Sequence, residues 1–394
     1  MKCLKTTHCV PLDVILEILV WLPVKSALRF KCVSKEWYNL INTPFFAKLQ
    51  LNKSLKPDSR HNRILLCNAN RSISIVDDIY DPLKWIKLNW PKDTVTGEDI
   101  ICIVGSCNGL VCFKVIRQNW PNDNTKFYYK ARCFLICNPT TRTFKSILPC
   151  SETKWTNNFI SYGFGYDSEH DDYKIVGTRS RWRVDDGERH VFIYSLKTDL
   201  WSSPTPLTLV STERRCLTII QRPAILVNDM LHYLVSFVTQ GPINEYKIAR
   251  FDVVYEKWRD DLRLPVKVNG HVRVGELDGR LYLHVGEYGI ESSEIWMMEE
   301  YGSWKKMFHL PKEVYKILPI ALSKDGSHRL FIRDYYNYSP RLFWYDQRDN
   351  TRTSSFTLNT LLPGNGGSFK LCIASLVAIP GCSLTKLQQL EDGA

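Results

Sequence analysis

A strand–turn–strand phrase recurs through most of the chain, and its spacing restricts the fold to a few repeat architectures. In each copy an alternating apolar strand leads into a polar turn, which an aromatic residue follows in all but the last copy. The copies are "CFLICNPTTRTFKSILP" (133–149), "VFIYSLKTDLWSSPTPL" (191–207), "IARFDVVYEKWRDDLRLP" (248–265), "SEIWMMEEYGSWKKMFHLP" (293–311) and "RLFWYDQRDNTRTSSFTL" (341–358). Phe144, Trp201 and Trp258 lie 57 residues apart twice, and Trp304 follows after 46. Such periods are typical of propeller blades or comparable arrays.

A second phrase, a tight turn before another alternating strand, precedes most of these copies. "GSCNGLVCF" (105–113) and "GELDGRLYLHV" (275–285) contain Asn-Gly and Asp-Gly, the dipeptides that favour hairpins because both positions accept a positive φ. An earlier relative, "ISIVDDIYDPLKWIKL" (73–88), places Trp85 59 residues before Phe144. Each unit is therefore predicted to be an antiparallel sheet of about four strands, with about six units in all.

The last apolar strand predicts how this array ends. "FKLCIASLVAI" (369–379) is expected to pair with "NRILLCNANRSISIV" (62–76) and close a ring, which would remove exposed edge strands. The predicted fold class is mainly β, with a β-propeller-like body of about six blades. An irregular all-β sandwich is the alternative.

The N-terminal segment has a helical period instead. Val14, Ile15, Ile18, Leu19 and Leu22 follow the spacing of one helical face, and Pro23 is expected to end the helix. Ser26 and Ser34 are expected to cap a second and a third helix, and Thr43-Pro44 to end the third. Three helices in about 40 residues bury too little surface to be stable alone. This head is expected to complete its core against a partner or against the body.

Charge and cysteine content indicate the kind of partner and the cellular compartment. The net charge is +11, and residues 1–56 hold nine Lys/Arg against three Asp/Glu, which favours an acidic partner. The 13 cysteines include no CxxC pair, and many lie in apolar runs, so reduced thiols are expected rather than disulfides or zinc. No apolar stretch is long enough to span a membrane. The predicted location is the cytosol or the nucleus.

The head resembles a known motif. "VPLDVILEILVWLPVKSALRFKCVSKEWYNLI" is similar to the F-box over residues 10–46, in the order of its prolines, tryptophan and apolar positions. The resemblance implies docking onto the Skp adaptor of a Skp–cullin–F-box (SCF) ubiquitin ligase. It also implies the residues that supply the adaptor interface and its supporting core: Pro11, Leu12, Ile15, Ile18, Leu22, Pro23, Leu28, Val33 and Trp37.

The body resembles a family as well. "CNGLVCF", "NPTTRTF" and "YGFGYDSEHDDYKIVG" look like signatures of the F-box-associated domain of plant F-box proteins. The implied organisation is an F-box at 1–50, a substrate-recognition domain at 60–380 and a polar tail at 381–394. The layout is also similar to S-locus F-box and S-haplotype-specific F-box-like proteins, which implies an S-ribonuclease target in self-incompatibility. The expected function is a non-catalytic receptor that promotes ubiquitination and proteasomal degradation of a target protein.

Nothing in the sequence nominates a catalytic residue, a cofactor or a metal site. The Asp pairs 171–172, 185–186 and 260–261 are interpreted as solvated turn residues, and the histidines lack ligand spacing. Two alternatives stay open: a hydrolase on a propeller scaffold, and a non-degradative scaffold or nucleic-acid binder.

Two aromatic and basic segments are predicted to contact the target. "RSRWRVDDGERH" (179–190) carries Arg181, Trp182 and Arg183, and "RDYYNYSPR" (333–341) carries Tyr335, Tyr336 and Tyr338. Arginine and aromatic side chains are favoured anchors of protein interfaces. Stacking of a nucleic-acid base on Trp182 is the alternative for the first segment.

Overall fold

The structure is a computed structural model that describes most of the chain with gaps. The described residues are 10–56, 62–68, 73–76, 85–90, 94–96, 99–119, 128–150, 160–179, 190–206, 217–220, 223–237, 245–286, 293–310, 317–322, 328–333, 341–346, 351–357 and 367–382. Within them the chain is mainly β, with four helices followed by a β-propeller body.

Four helices form the head, so the prediction of three was wrong. They are α1 (Leu12–Trp21), α2 (Val24–Phe30), α3 (Lys35–Ile41) and α4 (Pro44–Ser54). Ser34 caps α3 as predicted, and its hydroxyl accepts a hydrogen bond from the Trp37 amide (3.1 Å). Ser26 lies inside α2, which Pro23 precedes. Thr43-Pro44 begins a helix instead of ending one, because the Thr43 hydroxyl caps α4 and proline suits its first turn.

Twenty-six strands in the described residues follow the head. They are β1 (Asn62–Asn68), β2 (Ile73–Val76), β3 (Trp85–Leu88), β4 (Asp99–Cys107), β5 (Leu110–Asn119), β6 (Tyr128–Asn138), β7 (Thr143–Ile147), β8 (Ile160–Asp167), β9 (Asp172–Arg179), β10 (His190–Ser195), β11 (Leu200–Trp201), β12 (Thr205–Pro206), β13 (Leu217–Ile219), β14 (Ile225–Val227), β15 (Met230–Phe237), β16 (Glu245–Asp252), β17 (Lys257–Arg263), β18 (Val272–Leu277), β19 (Arg280–Gly286), β20 (Ser293–Glu300), β21 (Ser303–Leu310), β22 (Ile317–Leu322), β23 (His328–Arg333), β24 (Arg341–Asp346), β25 (Thr351–Thr357) and β26 (Gly367–Ile373).

The strands form antiparallel sheets of four or five strands. Five sheets use strands that are consecutive in the chain, and we number them II (β4–β7), III (β8–β12), IV (β13–β17), V (β18–β21) and VI (β22–β25). Sheet I instead has the order β26-β1-β2-β3. The inner strands β26, β4, β8, β14, β18 and β22 contact one another in that succession. Sheet follows sheet around the body in chain order.

The recurring aromatic residues occupy one structural position. Phe144, Trp201, Trp258 and Trp304 are each the second residue of the outer strand of their sheet. The residue two positions before each aromatic has a positive φ: Arg142, Asp199, Glu256 and Gly302. The repeat in the sequence is therefore the outer hairpin of successive sheets, with a left-handed residue that closes each turn.

The inner hairpins have the predicted turn chemistry. Asn108 and Gly109 connect β4 to β5, and Asp278 and Gly279 connect β18 to β19, with a positive φ at all four residues. Two consecutive positive φ values match the right-handed twist of the flanking strands. The predicted hairpins at Asn-Gly and Asp-Gly are confirmed.

The predicted pairing of the last strand with the first is also confirmed. β26 pairs antiparallel with β1 from Asn62 opposite Ile373 to Asn68 opposite Gly367. Residues 374–379, which the prediction included in the strand, follow it without regular secondary structure. The N- and C-terminal parts of the body therefore share sheet I.

Tight turns of neighbouring sheets meet on one face of the body, which we call the turn face. The Ser168 hydroxyl, in the β8–β9 turn, donates to Asp229 in the β14–β15 turn (3.2 Å). The Tyr255 hydroxyl, in the β16–β17 turn, donates to Glu169 (2.9 Å). β9 runs from this face to the opposite one, which we call the loop face and at which β9 ends at Arg179.

The head packs on the turn face. Leu376 and Ala374, which follow β26, belong to the hydrophobic cluster of the head. Lys48 of α4 lies 4.0 Å from Asp171 of the β8–β9 turn, measured between Nζ and Oδ2. The interpretation of the head as a cap that completes its core against the body therefore holds for part of its core.

Candidate functional site

Exposed apolar side chains are concentrated in the head. Among the described residues, sixteen large apolar side chains are exposed, and nine of these lie in residues 10–56: Val10, Leu12, Val14, Ile18, Trp21, Val33, Tyr38, Phe45 and Leu55. The remaining seven are spread over the much longer body. A concentration of exposed apolar side chains of this kind marks an interaction surface. The head is accordingly the candidate functional site.

Helix α1 has an apolar side chain on both of its faces. Leu19 and Val20 are buried in the core of the head. Val14, Ile18 and Trp21 follow the i, i+4, i+7 spacing of one face, and the exposed fractions of Ile18 and Trp21 are 56% and 60%. The sequence predicted one apolar face on α1. In the structure only part of that face packs in the core of the head, and the rest is exposed.

The nine residues predicted for the adaptor interface lie at the surface or at the margin of the core. Five are exposed: Pro11, Leu12, Ile18, Pro23 and Val33. Four are half-buried and pack against the core cluster of the head: Ile15, Leu22, Leu28 and Trp37. Each of them thus keeps part of its surface accessible to a partner.

Several exposed apolar residues were not among the predicted site residues. Val14 was interpreted only as part of the helical face, and Trp21 follows the same helical period at i+7. Phe45 lies on α4, the helix that the sequence reading missed. Tyr38 is exposed on α3 beside the predicted Trp37. The helical period could have identified Val14 and Trp21, whereas Phe45 required recognition of Thr43 as a cap.

The head also carries exposed positive charge. Lys25, Arg29 and Lys35 are exposed on α2 and α3. The Lys53 ammonium lies over the Trp21 ring, 3.5 Å from its centre, in a cation–π contact that places the charge on the face of an exposed apolar side chain. The head therefore presents both exposed apolar side chains and exposed cations, a combination suited to a partner with apolar and acidic surface.

The residues predicted to contact a target lie outside the described residues. They are Arg181, Trp182, Arg183, Tyr335, Tyr336 and Tyr338. Their places in the chain are nevertheless equivalent, because the first group follows β9 and the second follows β23, the second strands of sheets III and VI. Their role stays a prediction.

The acidic pairs differ in part from their interpretation as turn residues. Asp171 lies in the β8–β9 turn, but Asp172 is the first residue of β9, where its carboxylate accepts hydrogen bonds from the Ser195 hydroxyl and the Lys197 amide (2.6 and 2.8 Å). Asp260 and Asp261 lie within β17, and burial raises the pKa of Asp261. Residues 185–186 lie outside the described residues.

Buried thiols in the body are held in their protonated form. Five of the described cysteines are buried: Cys112, Cys133, Cys137, Cys150 and Cys372. Burial raises the pKa of Cys107 to about 12 and raises the pKa of Cys112 and Cys137 well above the ordinary value. Because the thiolate is the nucleophile and the metal ligand, these three side chains serve packing.

Comparison with known proteins identifies the family. Residues 79–355 match the family described as the F-box associated beta propeller domain, and residues 8–49 match the F-box domain. The F-box protein CPR1 of Arabidopsis thaliana is 29% identical over 401 aligned positions, which cover 95% of this chain and 89% of that protein. An F-box/kelch-repeat protein of Arabidopsis thaliana is 28% identical over 335 positions, covering 81% and 84%.

The similar solved structures are more distant. TolB from Acinetobacter baumannii gives a TM-score of 0.46 at 12% identity, covering 84% of this chain and 72% of that one, and no property is transferred from it. No helix in the described residues is long and apolar enough to cross a membrane. The two family matches agree with the helical head and the β body described above. The chain therefore belongs to the F-box proteins that carry an F-box associated beta propeller domain.

Proposed function

We propose that this protein is a substrate-recognition subunit of an SCF ubiquitin ligase. The head would bind the Skp adaptor, and through it the cullin, and the body would bind a target protein that is then ubiquitinated and degraded. The observation that carries the proposal is the concentration of exposed apolar side chains on a head whose sequence matches the F-box domain. The cytosol, and also the nucleus, is the proposed location.

The proposed adaptor interface combines apolar contact with charge attraction. Burial of Ile18, Trp21 and Phe45 against a partner would remove a large apolar area from water, which is the main source of affinity in such an interface. The exposed cations of the head would increase the association rate with an acidic adaptor more than the final affinity. The two features have separate roles in the proposal.

The loop face is the proposed target-binding surface, with the six sheets as blades of one propeller. The head occupies part of the turn face, as the contacts of Lys48 and Leu376 show, so a target held on the opposite face would not compete with the adaptor. The predicted residues Arg181 to Arg183 follow β9, which ends on the loop face. In its narrower form the proposal names an S-ribonuclease as the target, on the sequence resemblance alone.

The proposed contribution of this chain to ubiquitin transfer is position rather than chemistry. Neither matching family is described as an enzyme. A receptor that holds a target near a recruited conjugating enzyme converts an encounter between two molecules into a reaction within one assembly. No catalytic side chain on this protein is required for that effect.

Replacement of Ile18 by aspartate is expected to weaken adaptor binding by roughly 10- to 100-fold. The change places a charge in the centre of the exposed face of α1, and desolvating an unpaired charge in an apolar interface is unfavourable. Because Ile18 is 56% exposed, the head itself should remain folded. The measurement is a titration of the full chain against a purified Skp adaptor by calorimetry, with circular dichroism as the check on folding.

Leu148→Asp is the matched control, since Leu148 is an exposed apolar residue of the body, 77% exposed. It should leave the adaptor affinity unchanged. Equal affinity of native chain and Ile18→Asp variant would contradict the assignment of this surface, as would a native chain that binds no adaptor.

A further inference from the structure

The segment that follows the last strand contacts both the head and the body. We call residues 374–382 the C-terminal strap. Ala374 and Leu376 pack in the hydrophobic cluster of the head. Val377 and Ile379 pack in a cluster of the body that is formed by sheets II and III. The strap therefore lies between the two parts and has apolar side chains in each.

Hydrogen bonds hold the strap to sheet II. Asn138, the last residue of β6, is fully buried, and its side-chain amide donates to the carbonyl oxygens of Ser375 (3.1 Å) and Val377 (2.8 Å). The Ser375 amide lies within hydrogen-bond distance of the Thr140 hydroxyl (3.4 Å). Further along, Lys145 donates to the carbonyl oxygen of Pro380 (3.1 Å). Buried polar contacts of this kind define one position, because a shift of the strap would leave the Asn138 amide unsatisfied.

The groups that receive the strap are themselves held in place. The Asn138 carboxamide oxygen accepts hydrogen bonds from the amides of Thr140 (2.9 Å) and Thr141 (3.3 Å). The Thr140 hydroxyl also accepts from Arg63 of β1 (2.9 Å), so sheets I and II both support this site. The receiving site is therefore ordered by local contacts that do not involve the strap.

A glycine allows the close approach of the strap to the inner hairpin of sheet II. Gly109 has a φ of +82°, and a Cβ atom at this position would lie 2.3 Å from the Ser375 hydroxyl oxygen. Ser375 is fully buried at this contact. Any larger residue at position 109 would push the strap away from the turn face.

We infer that the C-terminal strap fixes the orientation of the head on the propeller. The chain enters β1 at Asn62 and leaves β26 at Ile373, and these two residues are paired in sheet I. The strap thus gives the head a second attachment next to the covalent one. One of the two attachments involves buried side chains of the head. Two attachments restrict rotation of the head on the propeller more than a single covalent connection would.

This inference rests on the proposed function for its consequence, because a receptor must present its target at a defined distance from the transfer site. If the head binds the adaptor and the loop face binds the target, the strap determines the angle between the two. Asn138, Ser375 and Leu376 are then positioning residues and make no contact with either partner.

The test measures the distance between head and body in the full-length free chain. Fluorophores are attached through non-natural amino acids at Glu36 on α3 and at Arg280 on β19, because the 13 cysteines rule out thiol labelling. Single-molecule energy transfer then reports the distance distribution. The native chain should give one narrow peak, and Leu376→Ser should lose it and give a broad distribution.

Three further variants distinguish a loss of the fixed orientation of the head from a general loss of stability. Leu262→Ser is the matched control, since Leu262 is 7% exposed and Leu376 is 8% exposed, but Leu262 lies in the body core away from the head. It should keep the narrow peak, as should the conservative Leu376→Met. Asn138→Ala removes the buried hydrogen bonds from the body to the strap without changing the head, and it should broaden the peak even if Leu376→Ser unfolds the head.

A native distribution that is already broad would overturn the inference. So would a peak in Asn138→Ala as narrow as the native one, or equal broadening in Leu262→Ser. Because no adaptor is present in this measurement, its failure is distinct from a failure of the proposed function, which the Ile18→Asp titration tests separately.

Discussion

Replacement of Lys174 by methionine is expected to lower the free energy of unfolding by about 3 kcal/mol, because it leaves a buried carboxylate without its cation. Lys174 of β9 is almost fully buried, and its ammonium lies 2.7 Å from Asp167 and 2.7 Å from Glu256. It also donates to the carbonyl oxygen of Val253 (3.0 Å). Since Val253 and Glu256 belong to the β16–β17 turn, this one side chain connects sheets III and IV.

The contacts around Asp167 explain why the expected effect lies at the lower end of the range for broken buried pairs. Its carboxylate retains hydrogen bonds from the amides of Glu169 and His170 after the change. Burial would by itself lower the pKa of Lys174, but its hydrogen bonds to Asp167 and Glu256 outweigh burial and raise it. The ammonium is therefore charged at neutral pH, and its removal leaves the Asp167 carboxylate with the amide hydrogen bonds as partial compensation.

The measurement is chemical denaturation of each variant, followed by tryptophan fluorescence. Lys48→Met is the control, because Lys48 and Asp171 are both exposed and 4.0 Å apart, and such a pair contributes about 0–1 kcal/mol. The double variant Lys174→Met with Asp167→Asn should recover part of the loss, since it removes the uncompensated charge. A Lys174→Met variant as stable as Lys48→Met would show that the pair does not stabilise the contact between the sheets.

The second large effect is a loss of stability in acid that depends on His232. This side chain of β15 is buried, its Nδ1 donates to the carbonyl oxygen of Ile225 (3.2 Å), and Tyr301 stacks on its ring. Its Nε2 has no hydrogen-bond partner among the described residues. Burial, with a smaller contribution from the charge of Arg250, lowers the pKa of His232 to about 4.

The sign of the effect follows from proton uptake on unfolding. In the unfolded chain His232 regains a pKa near 6.5, so between pH 6.5 and 4 the unfolded state binds the proton and the folded state does not. Stability from this group is complete above pH 6.5 and is lost as the pH falls towards 4. The total loss is about 3 kcal/mol for a shift of this size.

Near pH 5, unfolding of the native chain should take up close to one proton at His232, and His232→Gln should abolish this uptake. Glutamine does not titrate, but it can still donate a hydrogen bond to Ile225. The quantity is the slope of unfolding free energy against pH, measured by denaturation at several pH values. Leu148→Gln is the control, since Leu148 is an exposed apolar residue that does not titrate, and it should leave the slope unchanged. An unchanged slope in His232→Gln would mean that the buried ring does take up a proton in the folded state.

The repeat and its turns were predictable because they depend on local chemistry. Asn108-Gly109 and Asp278-Gly279 accept positive φ values through their own side-chain properties, so the hairpins follow from the dipeptides. The aromatic residue of each outer hairpin holds the same place relative to its turn, so spacing alone identified Phe144, Trp201, Trp258 and Trp304 as equivalent. The closing strand was predictable because an unpaired apolar strand at each end of the array needs a partner.

The head was predicted only in part. The apolar period located α1, but it did not decide which apolar side chains face inward, because Val14, Ile15, Ile18 and Leu19 suit either side equally. Packing against α4 made that choice, and α4 itself was missed because Thr43-Pro44 can either end or begin a helix. As a result Trp21 and Phe45 entered the candidate site only with the structure.

The sequence by itself determined the elements of this protein: a helical segment that matches the F-box, a series of hairpins, and two terminal strands that complete one sheet. Only the tertiary structure decided which residues meet across long chain separations, such as Asn138 with Ser375 and Lys174 with Glu256. The reason is physical. Turn and helix preferences act between residues close in the chain, whereas burial, charge pairing and the attachment of the head to the turn face depend on surfaces that exist only after the sheets have assembled.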